Sequence, residues 1–205
     1  MSQYNSSMFS DAVYLFGTTF ASPPSRGGFF KYVFGFWEEL PDGTMVDQKE
    51  LAEQAVLAAF AYLYNKKLID IVLVERKSLF GEKMTAIVKK LQSSPLDTSG
   101  LEAAIFAWVQ DNVGIYDITR ELLRNVSNPW GDMLQIVKKN LLHRGILKPS
   151  ITTYKYDVIG DISKEEKQVT ELKKTLKELQ SKGVSYGMLS AIADGISSRQ
   201  QHVHG

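Results

Sequence analysis

The sequence predicts a mainly α-helical fold, built as one domain with short β-hairpins. Its 205 residues are 44% hydrophobic and 23% charged, the balance of a globular protein with room for one substantial core. Three helix starts carry capping signals, at Asp47, Ser99 and Asn128–Pro129. The β-branched runs between the helices are short, as in hairpins packed on a helical core.

Two helices are predicted to form the centre of that core. The first begins at Asp47, whose side chain can cap free amides while Glu50 completes a capping box. It is apolar around much of its circumference over residues 52–63, which is typical of a buried helix. The second begins at Asn128–Pro129, because proline at the first helical position loses no hydrogen bond. Its inward residues fall within 133–142.

The remaining elements follow from similar local signals. We expect a helix at 99–108, a helix at 117–126, a peripheral helix beginning at Ser163 with a narrow leucine stripe, a last helix at 188–196, and hairpins at 69–88 and 146–158.

The N-terminal part is predicted to lack helices. Residues 1–28 contain strong breakers, Pro23–Pro24 and Gly27–Gly28, and are expected to be irregular. Aromatic residues then recur at every second position over 29–37, as on one face of a strand packed against the core. An aromatic surface for a membrane or a partner is the alternative. The single domain then covers residues 29–198, followed by a polar tail at 199–205.

Composition and motifs do not assign catalysis. The chain has no cysteine, so disulfides, zinc–thiolate sites and cysteine nucleophiles are excluded. The three histidines show no strong metal-binding spacing. Gly183-Val184-Ser185-Tyr186-Gly187 matches the nucleophile-elbow pattern, but the element before it is an amphipathic helix and not a buried strand. We therefore assign no catalytic residue, metal or cofactor, and expect a non-enzymatic binding or adaptor protein.

Hydropathy and net charge predict where the protein is found and which partners it meets. No apolar stretch of about 18 residues could span a bilayer, and the start lacks the pattern of a signal peptide. We expect a cytoplasmic protein that meets a membrane, if at all, peripherally. The net charge of +1 argues against a protein that mainly coats nucleic acid.

Two clusters of cations are the main functional signal. One is Lys138, Lys139 and Arg144 at the end of a helix, and the other spans residues 66–77. Such cations are typical of a solvated face that compensates the helix dipole, and equally of an anion site for a phospholipid headgroup or an acidic partner. Because leucine and valine occupy the inward stripe, we expect Lys138, Lys139 and Arg144 to lie towards solvent or at its border, as exposed cations. Replacing all three with glutamine should then barely change the melting temperature.

These segments resemble the Golgi phosphoprotein 3 family, helical peripheral-membrane adaptors that recognise phosphatidylinositol 4-phosphate. The similarity is collinear over about residues 55–158. It is carried by the helix and basic elbow at 58–68, Arg76-Lys77-Ser78-Leu79 with Lys83, Leu101-Glu102-Ala103-Ala104, Asn128-Pro129, Lys139-Asn140-Leu141 and Gly145-Ile146-Leu147.

The resemblance implies a Golgi phosphoprotein 3-like helical core that binds a phosphoinositide-type lipid. The family's headgroup-binding arginines fall near Gly131 and Leu134, neither of which is basic. A different set of cations must therefore hold a headgroup here. The candidates are Lys138, Lys139 and Arg144, with Trp37 in the place of the family's tryptophan.

A second hypothesis comes from the order of the elements. A helix, a basic elbow and a hairpin also make up winged-helix modules, which bind nucleic acid or regulatory proteins. Exposed aromatic side chains beside the basic cluster would favour a membrane over nucleic acid. The oligomeric state is left open.

Overall fold

The structure is a computed structural model that describes residues 6–23, 36–78, 81–93, 98–123, 128–150 and 155–200. Of the protein, 57% is helical, and the predicted mainly α-helical fold is confirmed. Within the described ranges the helices are α1 (Phe9–Leu15), α2 (Gln48–Asn65), α3 (Gly100–Ala107), α4 (Ile115–Leu122), α5 (Pro129–His143), α6 (Ser163–Ser181) and α7 (Ser185–Gln200). The strands are β1 (Trp37–Glu39), β2 (Met45–Asp47), β3 (Ile69–Ser78), β4 (Gly81–Lys90), β5 (Val113–Gly114), β6 (Leu147–Pro149) and β7 (Tyr156–Val158).

Helix α2 is the centre of the core, as predicted, and 13 of its 18 residues are buried. Asp47 caps it, since its Oδ1 accepts a hydrogen bond from the Glu50 amide at 2.9 Å. Glu50 does not return the bond as in a capping box. Its Oε2 accepts from the amide of Ser22 at 2.7 Å, and so ties the preceding segment to the start of α2.

Helix α5 also begins as predicted. Asn128 Oδ1 accepts from the amide of Gly131 at 3.1 Å, and Pro129 occupies the first helical position. Gly145 follows the helix with a positive φ of 70°, the left-handed conformation that glycine adopts at helix ends. The central burial predicted for 133–142 holds for its inward residues, among them Met133, Leu134 and Leu141.

The prediction that residues 1–28 are irregular is wrong for 9–15, which form α1. This helix has only seven residues and no side-chain cap, and Asp11 in its first turn is its one local signal of a helix start. It is held by tertiary packing against α2, α5 and α6. Phe9, for example, packs edge-on against Tyr62 with ring centroids 5.3 Å apart.

Other boundaries differ modestly from the predictions. Helix α7 begins at Ser185 and continues to Gln200, into the predicted polar tail, whereas the rest of that tail lies outside the described residues. The predicted strand at 29–37 is described only from residue 36, and parts of the elements at 117–126 and 146–158 also lie outside the described ranges. The leucine stripe of α6 docks on the core, with Leu172 and Leu179 fully buried.

The long hairpin is confirmed and extends beyond its predicted limits. Strands β3 and β4 pair antiparallel from Ile69 opposite Lys90 to Ser78 opposite Gly81, and β5 pairs with the far side of β4. Ile71 and Val88, one cross-strand pair, are buried against the helices. Among the described residues, the helices are all too short or too polar to cross a membrane.

Candidate functional site

The predicted exposure of Lys138 is wrong. Its Nζ lies 2.9 Å from Glu38 Oε1, and its side chain is only 7% exposed. The same Nζ lies 5.9 Å from the ring centroid of Tyr14 and 5.8 Å from that of Tyr156. Helix α1 and strands β1 and β7 therefore cover this side of α5, and Lys138 forms a buried ion pair with Glu38.

The predicted exposure of Arg144 is wrong as well. Its Nη1 donates to Asp11 Oδ2 and its Nη2 to Glu165 Oε1, both at 2.6 Å, and the side chain is 3% exposed. Arg144 thus joins α1 to the start of α6. A phosphate could reach the guanidinium only by displacing two carboxylates.

The other two predicted residues do not complete a site with them. Lys139 is exposed on α5, as predicted, but its neighbour in sequence, Lys138, points inward. Trp37 is half-buried in β1. The structure therefore does not bring Lys138, Lys139, Arg144 and Trp37 together on one accessible surface.

The buried charges belong to a polar network around α1. Glu102 accepts hydrogen bonds from the amide and the hydroxyl of Ser10, at 2.9 and 2.7 Å. Asn140 donates to both carboxylate oxygens of Asp11, at 3.1 and 2.9 Å. The carboxylates of Asp11, Glu102 and Glu165 are thus all buried on the side of the core where Arg144 lies.

Burial shifts the titration of this network. Loss of hydration raises the pKa of Glu102 to about 8, and the nearby Asp11 carboxylate adds to the shift. Burial also raises the pKa of Asp11 to about 6, although Asn140 and Arg144 oppose the change. The pKa of the Tyr14 hydroxyl lies above its usual range because it is buried and donates to Glu38. In the described part of the chain, no group of three histidine or acidic side chains could hold a metal ion.

The nucleophile-elbow pattern does not lie on a unit of strand, turn and helix. Ser185 begins α7, and the element before it is α6 and not a strand, as the sequence indicated. A Cβ at Gly187 would lie 2.6 Å from Leu73 Cδ2, so glycine lets α7 pack closely against β3. Close packing of α7 against β3 thus explains the second glycine of the pattern, Gly187.

Gly131 and Leu134, the two non-basic positions singled out in the sequence, follow Trp130 on α5. Leu134 is fully buried. Phe36 packs on Trp130 with ring centroids 5.8 Å apart, and Lys49 Nζ lies 5.9 Å from the Trp130 ring. Lys49 is also 3.9 Å from Glu53. Because a carboxylate already accompanies Lys49, the surroundings of Trp130 are poorly suited to an anion.

A different surface combines lysines with exposed apolar groups. We call it the lysine-rich edge, and it lies where α2 leads into β3 and β4 ends. It consists of Lys66, Lys67, Lys89, Lys90, Leu91 and Trp108.

Backbone contacts bring these three segments together. The Leu91 amide donates to the carbonyl of Leu68 at 2.9 Å, which places Leu91 beside the elbow at Lys66 and Lys67. The Lys90 amide donates to Asp111 Oδ1 at 3.0 Å, which joins the loop after α3 to the same edge.

The apolar side chains of the lysine-rich edge are exposed. Leu91 is 54% exposed and Trp108, the residue that ends α3, is 42% exposed. Lys90 Nζ lies 5.0 Å from the ring centroid of Phe106, which fixes the lysine near the end of the same helix. Tryptophan at such a position can place its ring in an apolar layer while its indole N–H remains hydrated.

The charge of the lysine-rich edge is positive. Its four lysines are accompanied by a fifth cation, Lys182, and by three carboxylates: Asp70 opposite Lys89, Asp111 beside Lys90 and Glu178 near Lys67. Two positive charges therefore remain in excess. Lys66 and Lys67 lie over the rings of Tyr62 and Tyr64, at 5.4 and 5.2 Å. They also follow the carboxyl end of α2, so part of their charge offsets the helix dipole.

Lys67 adopts a positive φ of 57° at the position where a helix usually ends in glycine. A lysine there costs on the order of 1 kcal/mol relative to glycine, since a side chain crowds the left-handed conformation.

Two of the six residues of the lysine-rich edge could be predicted from the sequence. Lys66 and Lys67 were visible as the basic elbow of α2, but Lys89, Lys90, Leu91 and Trp108 were not among the predicted residues. Their local signal is a pair of lysines followed by leucine where a strand ends, and a tryptophan where a helix ends. Comparison of the chain with protein-family models, with curated proteins and with solved structures finds no match.

Proposed function

We propose that this chain is a non-enzymatic binding protein that associates peripherally with anionic membranes through the lysine-rich edge. The observation that carries the proposal is the exposure of Trp108 and Leu91 next to four lysines. This is the combination of exposed aromatic and basic residues that distinguishes a membrane surface from nucleic acid as the partner.

Magnitudes support a weak and reversible association. A lysine near an anionic bilayer contributes roughly 1 kcal/mol, and the carboxylates of Asp70, Asp111 and Glu178 subtract from the sum of the four lysines. Leu91 and Trp108 add an apolar contribution that is insensitive to salt. Neither contribution alone retains a protein of this size on a membrane, so we expect binding to require both.

The resemblance to Golgi phosphoprotein 3 proteins supports the general class that we propose, but the lysines that would bind the headgroup are different ones. We infer the same general class, a helical adaptor of the phosphoinositide-binding type. Since Lys138 and Arg144 are buried in ion pairs, Lys66, Lys67, Lys89 and Lys90 take the place of the headgroup-binding cations. We propose a general preference for anionic headgroups, with no pocket for one lipid.

Flotation with phospholipid vesicles tests the proposal. The wild type should float with phosphatidylcholine vesicles that contain phosphatidylserine, and not with phosphatidylcholine alone. The variant Lys66→Gln/Lys67→Gly/Lys89→Gln/Lys90→Gln should bind at least about tenfold more weakly, because it loses four cations worth roughly 1 kcal/mol each. Glycine is chosen at position 67 because the positive φ favours it.

A charge-matched control separates a local site from net charge. The variant Lys139→Gln/Lys167→Gln/Lys173→Gln/Lys177→Gln removes the same number of exposed cations from α5 and α6. It should float like the wild type. Equal losses in both variants, or a DNA mobility shift at moderate salt without flotation, would contradict the membrane proposal.

A further inference from the structure

Strand β3 presents an open edge. The strand order is β3-β4-β5, so β3 has a strand on one side only among the described residues. It runs for ten residues, Ile69–Ser78, and begins with the β-branched and aliphatic sequence Ile-Asp-Ile-Val-Leu-Val. A long edge of this composition is a template for pairing with another strand.

The hydrogen bonds show which backbone groups face outward. Leu68 bonds to Leu91, the residue opposite it, and Val88 turns its carbonyl away from β3 to accept from the Asn112 amide at 3.0 Å. Because bonding alternates along an antiparallel pair, the odd-numbered residues of β3 point their amides and carbonyls away from β4. The Ile71 amide is consistent with this pattern, because it donates to Asp70 Oδ1 at 2.9 Å and not to a carbonyl of β4.

We propose that β3 pairs antiparallel with β3 of a second copy of this chain, with Leu73 opposite Leu73 on a two-fold axis. Only the odd-numbered residues of β3 face outward, so each hydrogen-bonded pair must join an odd-numbered residue of one copy to an odd-numbered residue of the other. The two-fold axis therefore passes either through an odd-numbered residue or midway between two of them. The two three-stranded sheets would then become one continuous sheet.

Charge complementarity selects this register. With Leu73 on the axis, the acidic position Asp70 stands opposite the basic position Arg76 of the second copy, twice by symmetry. Val72 then stands opposite Val74, a β-branched pair that suits a sheet. With the axis on Val72 instead, Asp70 stands opposite Val74 and Arg76 opposite Leu68, and with the axis on Val74, Asp70 stands opposite Ser78 and Arg76 opposite Val72, so neither shift pairs the two charges. On pairing, Asp70 releases the Ile71 amide, which then donates to the carbonyl at position 75 of the second copy.

Single cysteines test the register directly, because the chain has no cysteine of its own. The proposed pairing places positions 72 and 74 of the two copies in a non-hydrogen-bonded pair, about 4.5 Å apart between Cα atoms. The mixture of Val72→Cys and Val74→Cys chains should form disulfide-linked dimers under mild oxidation. Either variant alone should form several-fold fewer, since its two cysteines lie about 8 Å apart, beyond disulfide reach.

A second pair of variants tests the edge itself. Glu75 is exposed and its amide points outward, so Glu75→Pro removes an intermolecular hydrogen bond and leaves the β3–β4 pairing intact. By light scattering after gel filtration, the wild type and Glu75→Ala should have the mass of a dimer, and Glu75→Pro that of a 23.0 kDa monomer. A monomeric wild type at the highest soluble concentration, or equal disulfide yields in the mixed and single cysteine samples, would overturn the proposal. So would a dimer that survives in a folded Glu75→Pro variant.

Discussion

Replacing Arg144 with glutamine should lower the free energy of unfolding by about 3–5 kcal/mol, the cost of breaking a buried ion pair by removing one partner. The guanidinium contacts Asp11 and Glu165 at 2.6 Å each, and both carboxylates are fully buried. Without the arginine they face each other with no compensating charge. For a chain of this length the loss corresponds to a melting temperature lower by roughly 6–20 °C. Urea unfolding followed by circular dichroism measures it.

Lys139→Gln is the matched control, on the same helix and exposed. It should change the stability by no more than about 0.5 kcal/mol. The comparison reverses the expectation from sequence that losing Lys138, Lys139 and Arg144 together barely affects melting. Similar small losses in both single variants would show that the buried ion pairs do not stabilise the fold.

The second large effect is a pH dependence of stability opposite to that of most proteins. The pKa of Glu102 is raised to about 8 in the folded protein, from an ordinary value of 4.5. The folded state therefore holds this proton more tightly than the unfolded chain does, and stability falls as the pH rises from about 5 through 8. Asp11, with a folded pKa of about 6, contributes in the same direction. Every tenfold difference in proton affinity between the folded and unfolded states is worth about 1.4 kcal/mol, so the decline should reach several kcal/mol.

The variant Glu102→Gln isolates this contribution. Glutamine mimics the protonated acid: its Oε1 can accept from the Ser10 amide and its Nε2 can donate to the Ser10 hydroxyl. Unfolding curves between pH 5 and 9 should therefore be flatter for Glu102→Gln than for the wild type, with the largest difference above pH 8. The exposed Glu171→Gln should follow the wild type. Parallel curves for all three proteins would show that Glu102 is charged in the folded state.

The central helices could be predicted because their signals are local. The cap at Asp47 acts on the amide of Glu50, and that at Asn128 on the amide of Gly131, each three residues away. The stripe of α6 repeats along one helix and is visible in the sequence for the same reason. Such features depend on neighbours in the chain and not on the rest of the fold.

The burial of Lys138 and Arg144 could not be predicted in that way. Lys138 pairs with Glu38, 100 residues away, and Arg144 with Asp11, 133 residues away. Periodicity placed both side chains at the border of α5, and it was correct about the helix itself. The error came from α1, an uncapped seven-residue helix that covers this border and supplies Asp11.

The lysine-rich edge could be predicted only in part, for a related reason. Lys66 and Lys67 stand together in the sequence, whereas Leu91 and Trp108 belong to different elements. Two hydrogen bonds, from the Leu91 amide to the Leu68 carbonyl and from the Lys90 amide to the Asp111 carboxylate, bring these elements to one edge. Such contacts join residues that are distant in the sequence, so a local sequence pattern does not predict them.

Fluorescence quenching of Trp108 by brominated phospholipid tests the proposed membrane association most directly. The chain has three tryptophans, so the contribution of Trp108 is obtained by comparing the wild type with Trp108→Phe. With vesicles that contain brominated phosphatidylcholine and phosphatidylserine, we expect the wild type to be quenched and Trp108→Phe to lose most of that quenching. Removing phosphatidylserine should abolish quenching in both. Equal quenching of the wild type and Trp108→Phe, or no quenching by the anionic vesicles, would contradict insertion of the lysine-rich edge into a membrane.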